Sequence, residues 1–246
     1  MTYDLLMLIF NVFKKLEIWQ AHKSSPIILF YKSGVQLQKL TLIRHGESVF
    51  NSQKKIQGKL DSSLTQTGIS QTKLLSQHVK NENKNYDAIF SSPLKRAFET
   101  AHIISKHLEL SLNVVENLKE INLGEWEGKF IEEIKKKESE AFENFISNPL
   151  KYFIPSGENP LDFQKRVVSS INNILNSDDE NILIVSHAGT INVFLCHVLN
   201  LNLNYMWKMH IENTSITEIV FNNFLPRVVL FNDICHLNMK KINLKD

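Results

Sequence analysis

Two stretches decide the fold: Leu42-Ile43-Arg44-His45-Gly46-Glu47-Ser48 and Leu183-Ile184-Val185-Ser186-His187-Ala188-Gly189-Thr190. In each, a β-type apolar run stops at a histidine, a glycine follows within two residues, and a helical stretch begins beyond it. In open α/β sheets the ligand crevice lies outside the carboxyl ends of the strands. Two such turns can therefore face one pocket although they are far apart in the chain. Two imidazoles in one crevice suggest phosphate chemistry on histidine.

Around these turns, short β-type runs alternate with helical stretches. Strands are expected near 39–44, 86–90, 112–115, 182–186, 215–221 and 227–232, and helices near 65–80, 94–108, 130–147, 160–176 and 189–199. No helix separates the last two strands, so they should pair antiparallel through the Asn222-Asn223 turn region. The expected fold is α/β: three layers, α/β/α, with a mostly parallel, mixed central sheet of about six strands.

The 246 residues suit one large domain, or one domain of about 200 residues with an appendage. The second reading is preferred, with 1–38 as an amphipathic or weakly ordered extension and 39–246 as the catalytic domain. Lys14, Lys15, Lys23 and Lys32 against Asp4 and Glu17 account for the whole formal charge of +2. The remainder is neutral, which argues against nucleic acid as a partner. The apolar run Leu5 to Phe10 is too short to span a bilayer, and its basic residues follow instead of preceding it, unlike a secretory signal. No integral membrane insertion is expected. Cys196 and Cys235 form neither a CxxC nor a zinc-ligand spacing, so no disulfide framework and no metal site are expected, and a reducing cytoplasm is the default setting.

A phosphoryl dianion needs several cationic or N–H donors, a nucleophile in line, and a proton for the leaving oxygen. Arg44 and His45 offer a donor and a nucleophile, and Gly46 a tight turn whose backbone N–H groups can point at an anion. Ser91-Ser92-Pro93-Leu94-Lys95-Arg96-Ala97 follows another strand end. Proline is expected at the first helical position there, with Arg96 about one turn in. His187 can donate to a phosphate oxygen in its charged form. Glu120, in Glu120-Ile121-Asn122-Leu123-Gly124-Glu125-Trp126-Glu127-Gly128, is the candidate proton donor, its pKa raised by partial desolvation and by the phosphate's own charge.

Taken in order, Arg44-His45-Gly46-Glu47-Ser48 with Asn51, Ser91 through Ala101, Glu120 ahead of Gly124 to Gly128, and Ser186-His187-Ala188-Gly189 closely resemble the histidine phosphatase superfamily, also called phosphoglycerate mutase-like, over roughly residues 39–238. The resemblance implies a phosphohistidine on His45, a phosphate pocket of Arg44, Arg96 and His187, and Glu120 as acid and then base, with no metal and no cofactor. It implies further substrate contacts from Asn51, Gln57, Gly46 and Ala188. The tail Val228 to Leu237 resembles metal-independent phosphoserine phosphatases, which makes His236 a candidate for substrate selection. The departure from the family is Asn159 in Gly157-Glu158-Asn159, where Gly-Glu-Ser is usual.

The compact segment after Glu120 resembles the phosphatase branch (α-ribazole phosphate, broad-specificity and phosphoserine phosphatases), since nothing basic follows to hold a second phosphate. The expected activity is metal-independent hydrolysis of a small phosphorylated metabolite. A 2,3-bisphosphoglycerate-dependent phosphoglycerate mutase and a catalytically weak phospho-ligand binding or scaffold protein are the alternatives, and a homodimer is left open. Glu125 and Glu127 read as loop or surface carboxylates with a minor chance of shaping the pocket, and Trp126 as packing. His78, His102, His107, His197 and His210 read as structural or solvated, and Asp178-Asp179-Glu180 as a solvated loop.

Overall fold

The computed structural model describes residues 37–81, 85–222 and 225–242. The expected extension therefore lies outside the described residues up to Gln36. Gln38 belongs to the body: it opens strand β1 (Gln38–Arg44), and its amide donates to the carbonyls of Leu175 and Asp179 at 3.0 and 2.9 Å.

In chain order there follow α1 (Val49–Ser52), α2 (Gln66–Asn81), β2 (Ala88–Ser91), α3 (Lys95–Leu108) and β3 (Leu112–Val114). Then come α4 (Ile131–Lys137), α5 (Ser139–Ser147), α6 (Pro160–Leu175), β4 (Asn181–Ser186) and α7 (Ala188–Val198). Strands β5 (Ile216–Phe221) and β6 (Arg227–Asp233) and helix α8 (Cys235–Ile242) close the described chain. The six strands are ordered β3-β2-β4-β1-β5-β6. β1, β4, β2 and β3 pair parallel, whereas β5 is antiparallel to both β1 and β6. The mixed, mostly parallel sheet is as expected.

Alternation along the strands builds the layers. On β1 and β4, Leu40, Leu42, Ile182 and Ile184 face one side, where Phe163, Val167 and Ile171 of α6 and Ile191, Phe194 and Leu195 of α7 cover them. Ile43, Leu183 and Val185 face the other, against Leu75 and Val79 of α2 and Ala97, Ala101 and Ile104 of α3. Central strands buried on both faces read as continuous apolar runs, which is what marked β1 and β4 in the sequence. Each buried Leu, Ile, Val or Phe among them contributes roughly 1.5–3 kcal/mol.

Two expectations are corrected, and one helix is added. The helix expected over 130–147 is two helices, broken at Glu138 (φ −132, ψ 40). Glu138 accepts the Trp126 indole N–H at 2.9 Å, and the break lets Ile134 and Phe145 both pack on Trp126 in a small separate cluster. Pro93 is not helical: α3 begins at Lys95, whose N–H is taken by Asp61 at 2.7 Å, and Arg96 is its second residue. Residues 235–242, beyond the last expected element, form a helix packed on α2. No helix among the described residues is long and apolar enough to cross a membrane.

Candidate active site

Parallel register brings the two histidines together. Arg44 pairs with Ser186, so the residues that follow, His45 and His187, are lateral neighbours with ring centroids 5.2 Å apart. The His45 amide also donates to the Ser186 carbonyl at 3.0 Å. β2 ends one strand further over, and its following residue, Ser92, lies 2.8 Å from His187 Nε2.

The tautomer of His45 follows from its surroundings. Its Nδ1 lies 2.7 Å from the Gly46 carbonyl, an acceptor only, so Nδ1 carries the proton and Nε2 the lone pair. Burial, then the charges of Arg96 and Arg44, hold this imidazole well below its ordinary pKa, which keeps it neutral and nucleophilic. Gly46 thus serves through its carbonyl. Its N–H is spent on Thr100 Oγ1 at 3.0 Å, and a β-carbon there would stand 2.7 Å from the Gly68 carbonyl. The expectation of an anion-facing N–H at Gly46 is corrected accordingly.

His187 is likewise neutral, its pKa pushed well down by burial and then by Arg96, His45 and Arg44. Its Nε2 pairs with Ser92 Oγ, which also accepts the Leu94 N–H at 3.3 Å, and Nδ1 has no hydrogen-bond partner. His187 is held neutral, where the charged form was expected.

Arg96 is 1% exposed and clamped by the Leu60 and Gly58 carbonyls at 2.9 and 2.8 Å. Burial lowers its pKa to about 10. Arg44 Nη1 donates to the Ile211 carbonyl. Seven buried side-chain polar atoms among the described residues lack a hydrogen-bond partner, and three of them are Arg44 Nε, Arg96 Nε and His187 Nδ1. Arg44 and Arg96 act electrostatically on His45 and the His187 ring lies 5.2 Å from it, so groups able to bind an oxyanion are gathered beside one imidazole.

Glu120 is half-buried at the N-terminus of α7, accepting the Ile121 N–H and the Gly189 N–H at 3.0 Å each. Desolvation raises its pKa, against those two hydrogen bonds and the charges of Arg96 and Arg44. Gly189 is required at this contact, because a β-carbon would overlap Glu120 Oε1 and stand 3.0 Å from Cδ. Ala188 opens α7 directly after His187, whose side chain does not cap the helix.

Asn51 and Ser48 form a capping box on α1: Asn51 Oδ1 accepts the Ser48 N–H at 3.2 Å, which leaves the amide NH2 to donate. Gln57 Oε1 is within 2.9 Å of Ser48 Oγ and 3.0 Å of Ser62 Oγ, so the same holds for its amide. His236 lies one layer behind. Its Nε2 is 3.1 Å from Thr214 Oγ1, its ring centroid 5.8 Å from that of His78, and burial lowers its pKa to about 4. Its route to the centre is the loop before β5, where the Thr214 N–H donates to the Arg44 carbonyl at 3.0 Å and Asn213 Nδ2 to the His45 carbonyl at 2.9 Å.

Four positioning residues escaped the sequence reading. Ser92 passed as a helix start, and Asn213 carried no motif. Glu127 was expected first as a loop or surface carboxylate and only secondarily as shaping the pocket, yet Oε1 accepts the Lys59 and Leu123 N–H groups at 2.8 and 2.9 Å and fixes the loop that clamps Arg96. Arg166 bonds both Glu158 oxygens at 2.6 and 2.8 Å and the Asn117, Lys119 and Glu120 carbonyls at 2.7, 2.9 and 3.1 Å, holding the acid's backbone in place. Only the Gly-Glu-Trp-Glu-Gly spacing could have signalled Glu127. Asn159 caps α6 by accepting the Leu161 N–H at 2.8 Å, as a serine would, so the departure from the family's usual residue is chemically conservative.

A family model described as histidine phosphatase superfamily (branch 1) matches residues 40–234. Over 200 residues the chain is 37% identical to a Hydrogenobacter thermophilus protein provisionally named a second phosphoserine phosphatase, covering 81% of this chain and 98% of that one. It is 31% identical to phosphoserine phosphatase 1 of the same organism, covering 81% and 94%. The crystal structure of phosphoserine phosphatase from Entamoeba histolytica in complex with 3-phosphoglyceric acid superposes with a TM-score of 0.72 at 32% identity, covering 81% and 99%.

Proposed function

The chain belongs to the histidine phosphatase superfamily, and from that premise we propose that it hydrolyses phosphomonoesters of small metabolites, phosphoserine foremost, through a phosphohistidine on His45. The observation that carries this reading is a neutral, buried His45 with Arg44, Arg96 and His187 gathered around it, each holding a buried polar atom without a hydrogen-bond partner, and a carboxyl of raised pKa, Glu120, in the field of the same two arginines. Phosphoserine is preferred because the relatives carrying that name are similar over nearly their full length.

Arg44 and Arg96 hold the dianion, His187 donates from Nδ1, and the Asn51 and Gln57 amides and the Ala188 N–H complete the ring. His45 Nε2 attacks phosphorus, the ester P–O bond breaks, and Glu120 gives its proton to the departing alkoxide. The Glu120 carboxylate then takes a proton from water. The resulting hydroxide attacks phosphorus, the P–N bond returns its pair to His45, and inorganic phosphate leaves. These residues alone balance both steps, with no metal and no cofactor required. His236 acts through Thr214, and the setting is the reducing cytoplasm.

The test measures phosphate release in chelator from phosphoserine, α-ribazole phosphate, sugar phosphates and 3-phosphoglycerate, with 2-phosphoglycerate formation followed in parallel. Phosphoserine hydrolysis that disappears in His45→Ala, with loss of an acid-labile phosphoenzyme, is expected. Turnover retained in that variant would overturn the mechanism. Isomerisation dependent on 2,3-bisphosphoglycerate would identify a mutase, and silence a binding module.

A further inference from the structure

Outside the catalytic pocket, a second group of chemically capable side chains lies beside the His236 ring. His78 on α2, Asp233 at the end of β6 and Cys235 at the start of α8 bring one ligand atom each to within 4.8 Å of one another. His78 is 157 residues before Cys235, which is why cysteine and histidine spacing predicts no metal here. Cys235 Sγ and His78 Nε2 are 3.7 Å apart. Zn–S and Zn–N bonds of about 2.3 and 2.05 Å at a tetrahedral angle place sulfur and nitrogen about 3.5 Å apart, so the separation is that of two ligands on one zinc ion.

We propose that His78, Asp233 and Cys235 bind a zinc ion that fastens α8 and the end of β6 to α2. The donor set of one imidazole, one carboxylate and one thiolate suits a borderline-soft ion and disfavours magnesium or calcium, which take oxygen. On binding, the Cys235 thiol loses its proton to solvent, the thiolate and the neutral imidazole each give a lone pair, and no redox change occurs. Three protein ligands leave the fourth position to water, and Cys235 is exposed, so the ion exchanges with solvent.

The clip has a reason to matter to the catalytic centre. His236 follows Cys235 directly and bonds Thr214. Thr214 is β-branched and holds φ +59, a left-handed conformation that persists only where neighbours enforce it. Its N–H bonds the Arg44 carbonyl, and its neighbour Asn213 bonds the His45 carbonyl. Zinc at the start of α8 therefore stiffens the support behind the nucleophile without entering the reaction.

The probe is Co2+ or Zn2+ alone, added to the full chain, with no phosphate ester present. Expected are one equivalent of bound metal, a sulfur-to-cobalt charge-transfer band with visible tetrahedral d–d bands, and a zinc-dependent rise in Tm. Cys235→Ser, at an exposed position, should fold yet lose the charge-transfer band and the Tm rise; His78→Gln should lose the Tm rise. His45→Ala should keep all three signals, since the site does not use the catalytic histidines. Cobalt bound without the charge-transfer band, a Tm rise equal in Cys235→Ser, or loss of binding in His45→Ala would each overturn the proposal. Because none of these readouts involves phosphate release, failure here leaves the phosphatase reading standing, and the reverse also holds.

Discussion

Gly189→Ala isolates the placement of the proton donor from everything else in the pocket. The added β-carbon would overlap Glu120 Oε1 and lie 3.0 Å from Cδ. Carbon atoms settle at about 3.5–4.0 Å, so the carboxyl must retreat by roughly 0.5–1 Å. It cannot retreat and also keep the 3.0 Å hydrogen bond from the residue 189 N–H. A displacement of about 1 Å costs on the order of 100-fold, about 2.7 kcal/mol in transition-state stabilisation, and 10- to 100-fold is expected here. The loss should fall on phosphoserine, whose alkoxide needs a proton, and spare p-nitrophenyl phosphate, whose phenolate leaves unaided. Stability should change little, because alanine improves helix α7 by about 1 kcal/mol relative to glycine and offsets part of the crowding. The assay is kcat/KM on both esters alongside a thermal melt. Glu120→Gln should reproduce the pattern more severely. Equal losses on both esters, or full phosphoserine activity in Gly189→Ala, would remove Glu120 from the acid role.

Glu127→Gln weakens the acceptor for the Lys59 and Leu123 N–H groups and so loosens the loop carbonyls that clamp Arg96; KM for phosphoserine should rise several-fold with a smaller change in kcat, and an unchanged KM would count against the clamp. Arg166→Ala leaves Glu158 without its cation and three carbonyls without a donor, so a loss of roughly 2–4 kcal/mol in chemical denaturation is expected, with Arg166→Ala/Glu158→Gln less destabilised than the single variant. His45, His187 and His236 are all held below their ordinary value of 6.5, so the unfolded chain binds more protons and stability falls as pH drops from about 6.5 toward the folded values. Glu120, raised from 4.5, works oppositely and cancels at most one of these protons. The net slope is therefore roughly 1–3 kcal/mol per pH unit below pH 6, and a flat profile between pH 7 and 5 would refute neutral burial of the histidines. The same depression keeps His45 nucleophilic on the acid side, so kcat/KM for p-nitrophenyl phosphate should hold below pH 6.5.

What the amino-acid sequence determined by itself was whatever depends on local order. β1 and β4 are apolar on both faces because both are covered, so their runs, and the histidines ending them, were legible directly. Arg44, His45, Arg96, Glu120 and His187 could be singled out as candidates because each sits in a short motif near an element boundary. Tertiary structure decided what depends on partners distant in the chain. The break at Glu138 follows from Trp126 packing, not from helix periodicity. The roles of Glu127, Asn213 and Arg166 come from hydrogen bonds to backbone groups, which leave no side-chain pattern to read. The neutral state of His187 follows from its burial and from arginines on other elements, and the ligand-like cluster of His78, Asp233 and Cys235 exists only because α8 packs on α2. Local propensity and motif spacing are properties of neighbouring residues, whereas a proton's position and a ligand set depend on which atoms the packed fold places within a few ångströms.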